Sequence, residues 1–272
     1  MAVYLDSSAF DHLYRKVGCT AADIANLRTQ VYGRELTILL SIHTLEDFVL
    51  DHHGRPEAMT ARTKLTLSFS NFRRMVKPCD QLLIDDIRAY LDSGEAGRPY
   101  IDANLQNVIG EGIAAMVESD GEDLDEDMIA ALEAARGKRS WFSELAEILG
   151  DAPSESLSFE AYSERETPRL LEAQAQFAGV LETCRARGFE GLLTIPSVNI
   201  ATKAILALAF NGNFLGREPG DRTYLDLCHA PSAAAVAKTM VSDDAFLRQL
   251  LTQVTLQKLE ISDLPSFLNK VG

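Results

Sequence analysis

Cysteine is sparse in this chain. Four residues, Cys19, Cys79, Cys184 and Cys228, are spread over 272 positions with no CxxC pair. That spacing excludes a disulfide framework and predicts a reduced, intracellular protein. A positive excess is also lacking: 26 Lys and Arg stand against 40 Asp and Glu, a formal net charge of −14. The overall field therefore repels polyanions unless basic residues gather locally or a metal ion supplies positive charge. No basic segment leads into an apolar stretch at the N-terminus, so the sequence predicts no signal peptide and a cytoplasmic location. The most apolar region, Ile195 to Phe210, is interrupted by Asn199 and Lys203 and reads as a buried core helix, not a bilayer span.

Several motifs are missing too. No Walker-type phosphate loop occurs. The five histidines show no zinc spacing: His52 and His53 are neighbours, and His12 and His43 stand alone. His229 lies three residues after Asp226, within helical reach of that carboxylate. "ESDGEDLDED" (118–127) fails as a calcium loop, because Gly121 in the sixth position puts Met116 at the first ligand position. It reads instead as a solvated turn and an acid-rich helix start.

What is present is an ordinary globular composition, 46% hydrophobic and 24% charged, in a chain long enough for a sizeable core. "AVYL" reads as a strand, followed by a helix from Ser7 to Lys16 capped by Ser7 or Ser8. Thr20 caps a second helix, with Ile24, Leu27 and Val31 on one face and a stop at Gly33. "ELTILLS" (35–41) is apolar enough for a strand buried on both faces, and a helix follows from His43 to about His53. From Pro56 to about Gly188 the period is helical throughout, with no strand pattern. A helix from Asp221, its N-cap, to Ala230 precedes the strand "KTMVSDD" (238–244), and "VTLQKLEIS" (254–262) reads as a last β-rich segment. This order predicts an α/β protein: a three-layer α/β/α sandwich with a central parallel sheet, built from residues 1–55 and 189–272, with 56–188 as a helical insertion.

Parallel sheets build their sites beyond the carboxyl ends of the strands. Asp6 ends the first strand, and Asp243 and Asp244 end a later one, so these acids converge on one edge. Glu46, with Asp47 beside it, and Asp226 lie on helices adjoining that edge. Carboxylates meeting in a cleft repel unless a divalent cation joins them, and oxygen donors suit Mg²⁺ or Mn²⁺.

"VYLDSSAF", "ILLSIHTLEDF", "DRTYLDLCHA" and "MVSDDAFLRQLL" resemble, in order, the four acidic motifs of PIN-domain nucleases. "LEISDLPSFL" is similar to that family's closing segment. The resemblance covers about residues 1–53 and 190–272 and has no counterpart for the middle. It implies a PIN-like fold and a metal-dependent endoribonuclease whose catalytic acids are Asp6, Glu46, Asp226 and Asp243. Of these, Asp6, Asp226 and Asp243, with Asp244, are the metal ligands for Mg²⁺ or Mn²⁺. Asp47 in place of Glu46, and Asp244 in place of Asp243, remain open. Ser8 or Ser242 is implied to hydrogen-bond a ligand carboxylate. Single-stranded RNA is the implied substrate, with an antitoxin or another protein as a further partner. The alternative, motivated by the net charge and the long insertion, is a PIN-fold RNA- or protein-binding module with little or no nuclease activity. Basic runs at 72–77, 136–142 and 185–187 read as solvated helix faces or as places to grip phosphates.

Overall fold

A computed structural model of the chain describes residues 1–52, 54–70, 74–119, 129, 130, 133, 136, 141–149, 157–216, 221–254 and 259–272. Among these, four short strands form one all-parallel sheet: β1 (Ala2–Leu5), β2 (Thr37–Leu39), β3 (Thr239–Val241) and β4 (Glu260–Ser262), in the order β2-β1-β3-β4. β1 is central, pairing Val3 with Ile38 on one side and Tyr4 with Met240 on the other. β1 covers the expected Ala2–Leu5, while β2 and β3 are shorter than their apolar patterns. At Asp6 the backbone gives a last N–H to Val241 O at 3.2 Å and turns into a helix. Residues 255–258, part of the expected last strand, lie outside those described.

Between β1 and β2 run α1 (Ser7–Arg15) and α2 (Ala21–Tyr32). Thr20 opens α2 with a reciprocal capping box to Asp23, and Gly33 closes it, as the pattern predicts. After β2 come α3 (Ile42–His52), α4 (Pro56–Phe69), α5 (Cys79–Ser93), α6 (Ala103–Glu118), α7 (Trp141–Ile148), α8 (Phe159–Phe177), α9 (Leu181–Arg187) and a 3₁₀ turn at Glu190–Thr194. Then follow α10 (Pro196–Leu215), α11 (Asp221–Leu227) and α12 (His229–Val236) before β3, α13 (Ala245–Gln253) before β4, and α14 (Leu264–Val271). The single helix expected over 221–230 is thus two, broken at Cys228. Asp221 begins α11, but its side chain lies outside those described.

Alternation along β1 divides the core. Val3 and Leu5 pack with Ile38, Val241, Phe10 and Phe267 on one face. Tyr4 packs with Leu39, Met240 and the apolar faces of α5, α8 and α10 on the other. Helices therefore cover both faces, an arrangement compatible with three α/β/α layers. Leu82, Ile87, Leu170 and Leu171, all from the stretch 56–188, share the cluster that holds Tyr4 and Met240. That stretch also borders the outer edge of β2, through isolated bridges of Ser70 to Ile38 and Val76 to Ser41.

α10 is long and apolar enough to cross a membrane. It lies against α8, α12, α5 and α7, with Val198, Ala201, Ala204 and Ile205 fully buried. A side chain such as Ile205 contributes about 1.5–3 kcal/mol by leaving water.

Candidate functional site

The first turn of α1 sits at the carboxyl end of β1, and its two serines reach Asp6, Asp47 and the backbone of Asp243. Asp6 is itself the N-cap: its Oδ1 accepts the Ala9 N–H at 2.9 Å and the Ser8 hydroxyl at 2.7 Å. The pattern assigned that cap to Ser7 or Ser8. Both serines instead lie inside the helix, where their hydroxyls are available to other elements. Ser7 Oγ donates to Asp47 Oδ2 at 2.9 Å, and Ser8 Oγ accepts the Asp243 N–H at 2.8 Å. Asp6, Asp47 and Asp243 thus meet around one helical turn, drawn from β1, α3 and the end of β3.

Glu46 and Asp47 take different places. Asp47 lines a cleft of about 580 Å³ between α1, α3 and α4, together with Ser7, Ser8, His12 and Phe48. Glu46 is buried, and its Oε2 lies 3.1 Å from His43 Nδ1. His43 Nε2 accepts the Cys79 N–H at 2.9 Å, so the ring proton sits on Nδ1 and points at Glu46.

Asp243 faces away from Asp6. Its Oδ1 accepts the Leu264 N–H at 3.1 Å and lies 3.7 Å from Arg248, and its Oδ2 lies 2.9 Å from His12 Nδ1. Asp244 is the N-cap of α13, accepting the Leu247 N–H at 2.6 Å. Asp226 is half-buried on α11 and is not among the residues lining the cleft. Ser242, the other serine singled out, stands 3.4 Å from Ser8 Oγ.

The histidines change meaning in three dimensions. His12 and His43 do not stand alone: each faces one of the acids. His229 does not serve Asp226 either. Both its nitrogens face elsewhere. Nδ1 is 2.6 Å from the Tyr4 hydroxyl and Nε2 is 3.3 Å from Asp47 Oδ2. Tyr4 also meets Ser41 Oγ at 2.8 Å, so a buried polar chain runs from β2's end through Tyr4 and His229 to the cleft wall. Its members satisfy one another, as buried polar groups must.

Burial pushes the Asp6 carboxyl above its ordinary value, against the charge of His229 and the hydrogen bonds of Ser242, Ala9 and Ser8. Burial likewise drives the Tyr4 hydroxyl far up, so it stays neutral.

The donor chemistry of this corner, carboxylate oxygens from Asp6, Asp47, Asp243 and Asp244, is that of a hard cation. The arrangement does not fit one. Among the described residues no three His, Cys, Asp or Glu side chains are grouped to hold a metal ion. Asp243 and Asp47 are turned to imidazoles, and Asp244 to its helix.

Of the basic runs, Arg185 pairs with Glu172 and Glu182, and Arg187 donates to Leu91 O. Residues 71–73 and 137–140, and residues 120–128 with most of the acid-rich turn, lie outside those described.

Sequence reasoning passed over Tyr4, Ser7 and His12 as site residues. The signal for His12 was there: it follows Ser8 by four, one helical turn on the same face. Tyr4 carried no such signal, since a strand tyrosine pointing inward reads as core. Compared with known proteins, the chain matches no family model, no curated protein and no solved structure.

Proposed function

We propose that this chain is a PIN-like nuclease that hydrolyses phosphodiester bonds in single-stranded RNA, with a helical subdomain set between its early and late strands. The observation that carries this reading is that one turn of α1 binds the Asp6 and Asp47 carboxylates and the Asp243 backbone amide, at the carboxyl edge of a parallel sheet and beside an open cleft. Acids gathered there are what the resemblance of the four motifs implies. Asp47, held by Ser7 and His229 at the cleft wall, is placed to accept a hydrogen bond from an attacking water and to take its proton. The resemblance names Asp6, Glu46, Asp226 and Asp243 as the catalytic acids, with Asp244 as a further metal ligand. Mg²⁺ or Mn²⁺ is the cofactor that the resemblance implies; as the acids are now partnered, no step is assigned to it. A reduced, cytoplasmic setting belongs to this reading on the sparse, unclustered cysteines of the sequence. An antitoxin or another protein is the further partner on this reading.

A specific observation favours a second reading, that of an RNA- or protein-binding module without cleavage. Glu46, Asp47 and Asp243 each face a histidine, at 3.1, 3.3 and 2.9 Å, and no metal cluster is formed among the described residues.

Labelled single-stranded RNA incubated with Mn²⁺, Mg²⁺ or a chelator separates the two. The nuclease reading expects cleavage with a divalent cation and its loss in Asp6→Asn. Cleavage that survives Asp6→Asn sinks this assignment of the site. RNA retained but uncut under every condition establishes the second reading.

A further inference from the structure

The cleft beside the acids continues past Asp47 along α1, α3 and α4, and its far wall is cationic. Arg15, Arg55 and Arg62 line it with Asp11, Asp51 and His52. The charges there are not equivalent. Asp11 is taken by two guanidinium groups, Arg62 at 2.7 Å and Arg15 at 3.3 Å. Burial raises its carboxyl, but the hydrogen bonds of Arg62 and Arg15 outweigh that and hold it below the ordinary value. Asp51 is taken by Arg136 at 3.1 Å, and the same Arg136 lies 3.9 Å from Asp47. Three guanidinium groups and three carboxylates thus line the cleft, and each carboxylate already has a cation, two of them sharing Arg136 from outside the lining. Arg55 has no ion pair among the described residues and is exposed. Arg15 keeps 59% of its side chain exposed despite its contact with Asp11. Burial and the charge of Arg62 lower the His52 pKa, so at neutral pH that ring is an uncharged neighbour and not a further cation. In a chain of net charge −14, the cleft lining is balanced in charge, and Arg15 and Arg55 are the cations in it whose heads are left to solvent.

Arg62 has a different task. Its Nε and Nη2 both reach Asp11 Oδ1, and it lies 4.3 Å over the Tyr14 ring with 11% of its side chain exposed. It is a strut between α1 and α4. Arg15 and Arg55 are the two with heads in water, one on α1 and one at the start of α4.

We propose that Arg15 and Arg55 form a phosphate subsite, gripping backbone phosphates of single-stranded RNA that lies along the cleft past Ser7 and Ser8 towards the acids. This deepens the RNA reading given above and rests on it. The chemistry that recommends phosphate is the geometry of the pair. Guanidinium groups match phosphate oxygens in a planar, forked fashion. Two of them lining one open cleft, on α1 and at the start of α4, suit successive groups of a chain. Phe48 is buried at the base and offers no ring face for stacking, so the grip is to backbone and not to bases.

The test is binding of a fluorescein-labelled single-stranded RNA 10-mer to the full chain, read by anisotropy over a series of salt concentrations. Arg15→Ala with Arg55→Ala is expected to weaken binding by about tenfold and to reduce the slope of log K against log salt by about 1.4, as loss of two phosphate contacts to a single strand does. Lys238→Ala, an exposed cation at the opposite end of the sheet, is the control and is expected to change neither. Arg15→Lys with Arg55→Lys keeps the charge and is expected to retain most of the slope. A double alanine variant that binds and responds to salt like wild type overturns the subsite, as does a wild-type chain that does not bind this RNA. Cleavage is followed separately. Cleavage with unchanged binding in the variants removes the subsite and leaves the nuclease reading. Arginine-dependent binding without cleavage removes the nuclease reading and leaves the subsite.

Discussion

Ser8 and Asp243, 235 positions apart, are joined by a hydrogen bond of 2.8 Å from the Asp243 amide to the Ser8 hydroxyl. The same hydroxyl donates to Asp6 at 2.7 Å, so one serine ties the end of β1 to the end of β3 through the Asp6 carboxylate and the Asp243 backbone. The chain between them folds so that both strand ends open on the same edge of the sheet.

That bond makes Ser8→Ala informative. It leaves the Asp243 amide without its acceptor and removes one donor from Asp6. A buried group left unsatisfied costs about 1–3 kcal/mol. Urea unfolding should register a loss in that range, with m unchanged. A loss below about 0.5 kcal/mol would show that water replaces the hydroxyl.

Tyr4→Phe probes the buried polar chain. The ring remains and the core volume is kept, but Ser41 and His229 Nδ1 lose their shared partner. The expected cost is about 1–3 kcal/mol in chemical denaturation. Tyr4→Phe with His229→Phe removes both sides and is expected to cost less than the sum of the single variants. Strict additivity would argue that the two groups do not interact.

Asp6→Asn keeps a good helix cap and removes a buried charge. For an acid whose folded pKa lies above its unfolded value, the folded state holds the proton between the two. Stability therefore falls as pH rises from the ordinary value of 3.8 through the raised one. The substitution should erase that fall and raise the melting temperature at pH 7 in metal-free buffer. The scale is about 2–4 °C per kcal/mol for a domain of this size. A melting temperature at pH 7 equal to or below that of wild type would count against a buried, costly charge at Asp6.

Glu46→Gln and Asp47→Asn separate the two adjacent acids. On the nuclease reading, Asp47→Asn is expected to lower cleavage about 10²-fold or more, because its carboxylate lines the cleft. Glu46→Gln keeps a hydrogen-bond acceptor for His43 and is expected to affect cleavage less than tenfold. The reverse order, read in single-turnover rates, would return the catalytic role to Glu46.

Periodicity and turn chemistry determined the local elements. The β1 strand, the α2 capping box with its stop at Gly33, and the apolar helix at Pro196–Leu215 follow from residues close together in the chain. Asp6 at a strand end was legible for the same reason. What the tertiary structure decided is where side chains from distant elements point. His43 meets Glu46 by its i, i+3 spacing, but that His12 faces Asp243 and His229 faces Asp47 depends on how distant elements pack. Adjacent acids such as Glu46 and Asp47 differ by about 100° around a helix, a choice set by packing and not by pattern. The sequence by itself determined that acids gather at one edge of a parallel sheet. Only the fold decided that one turn of α1 would hold the Asp6 and Asp47 carboxylates and the Asp243 backbone, since hydrogen bonds to Asp47 and Asp243 at 2.8–2.9 Å require elements far apart in sequence to be packed first.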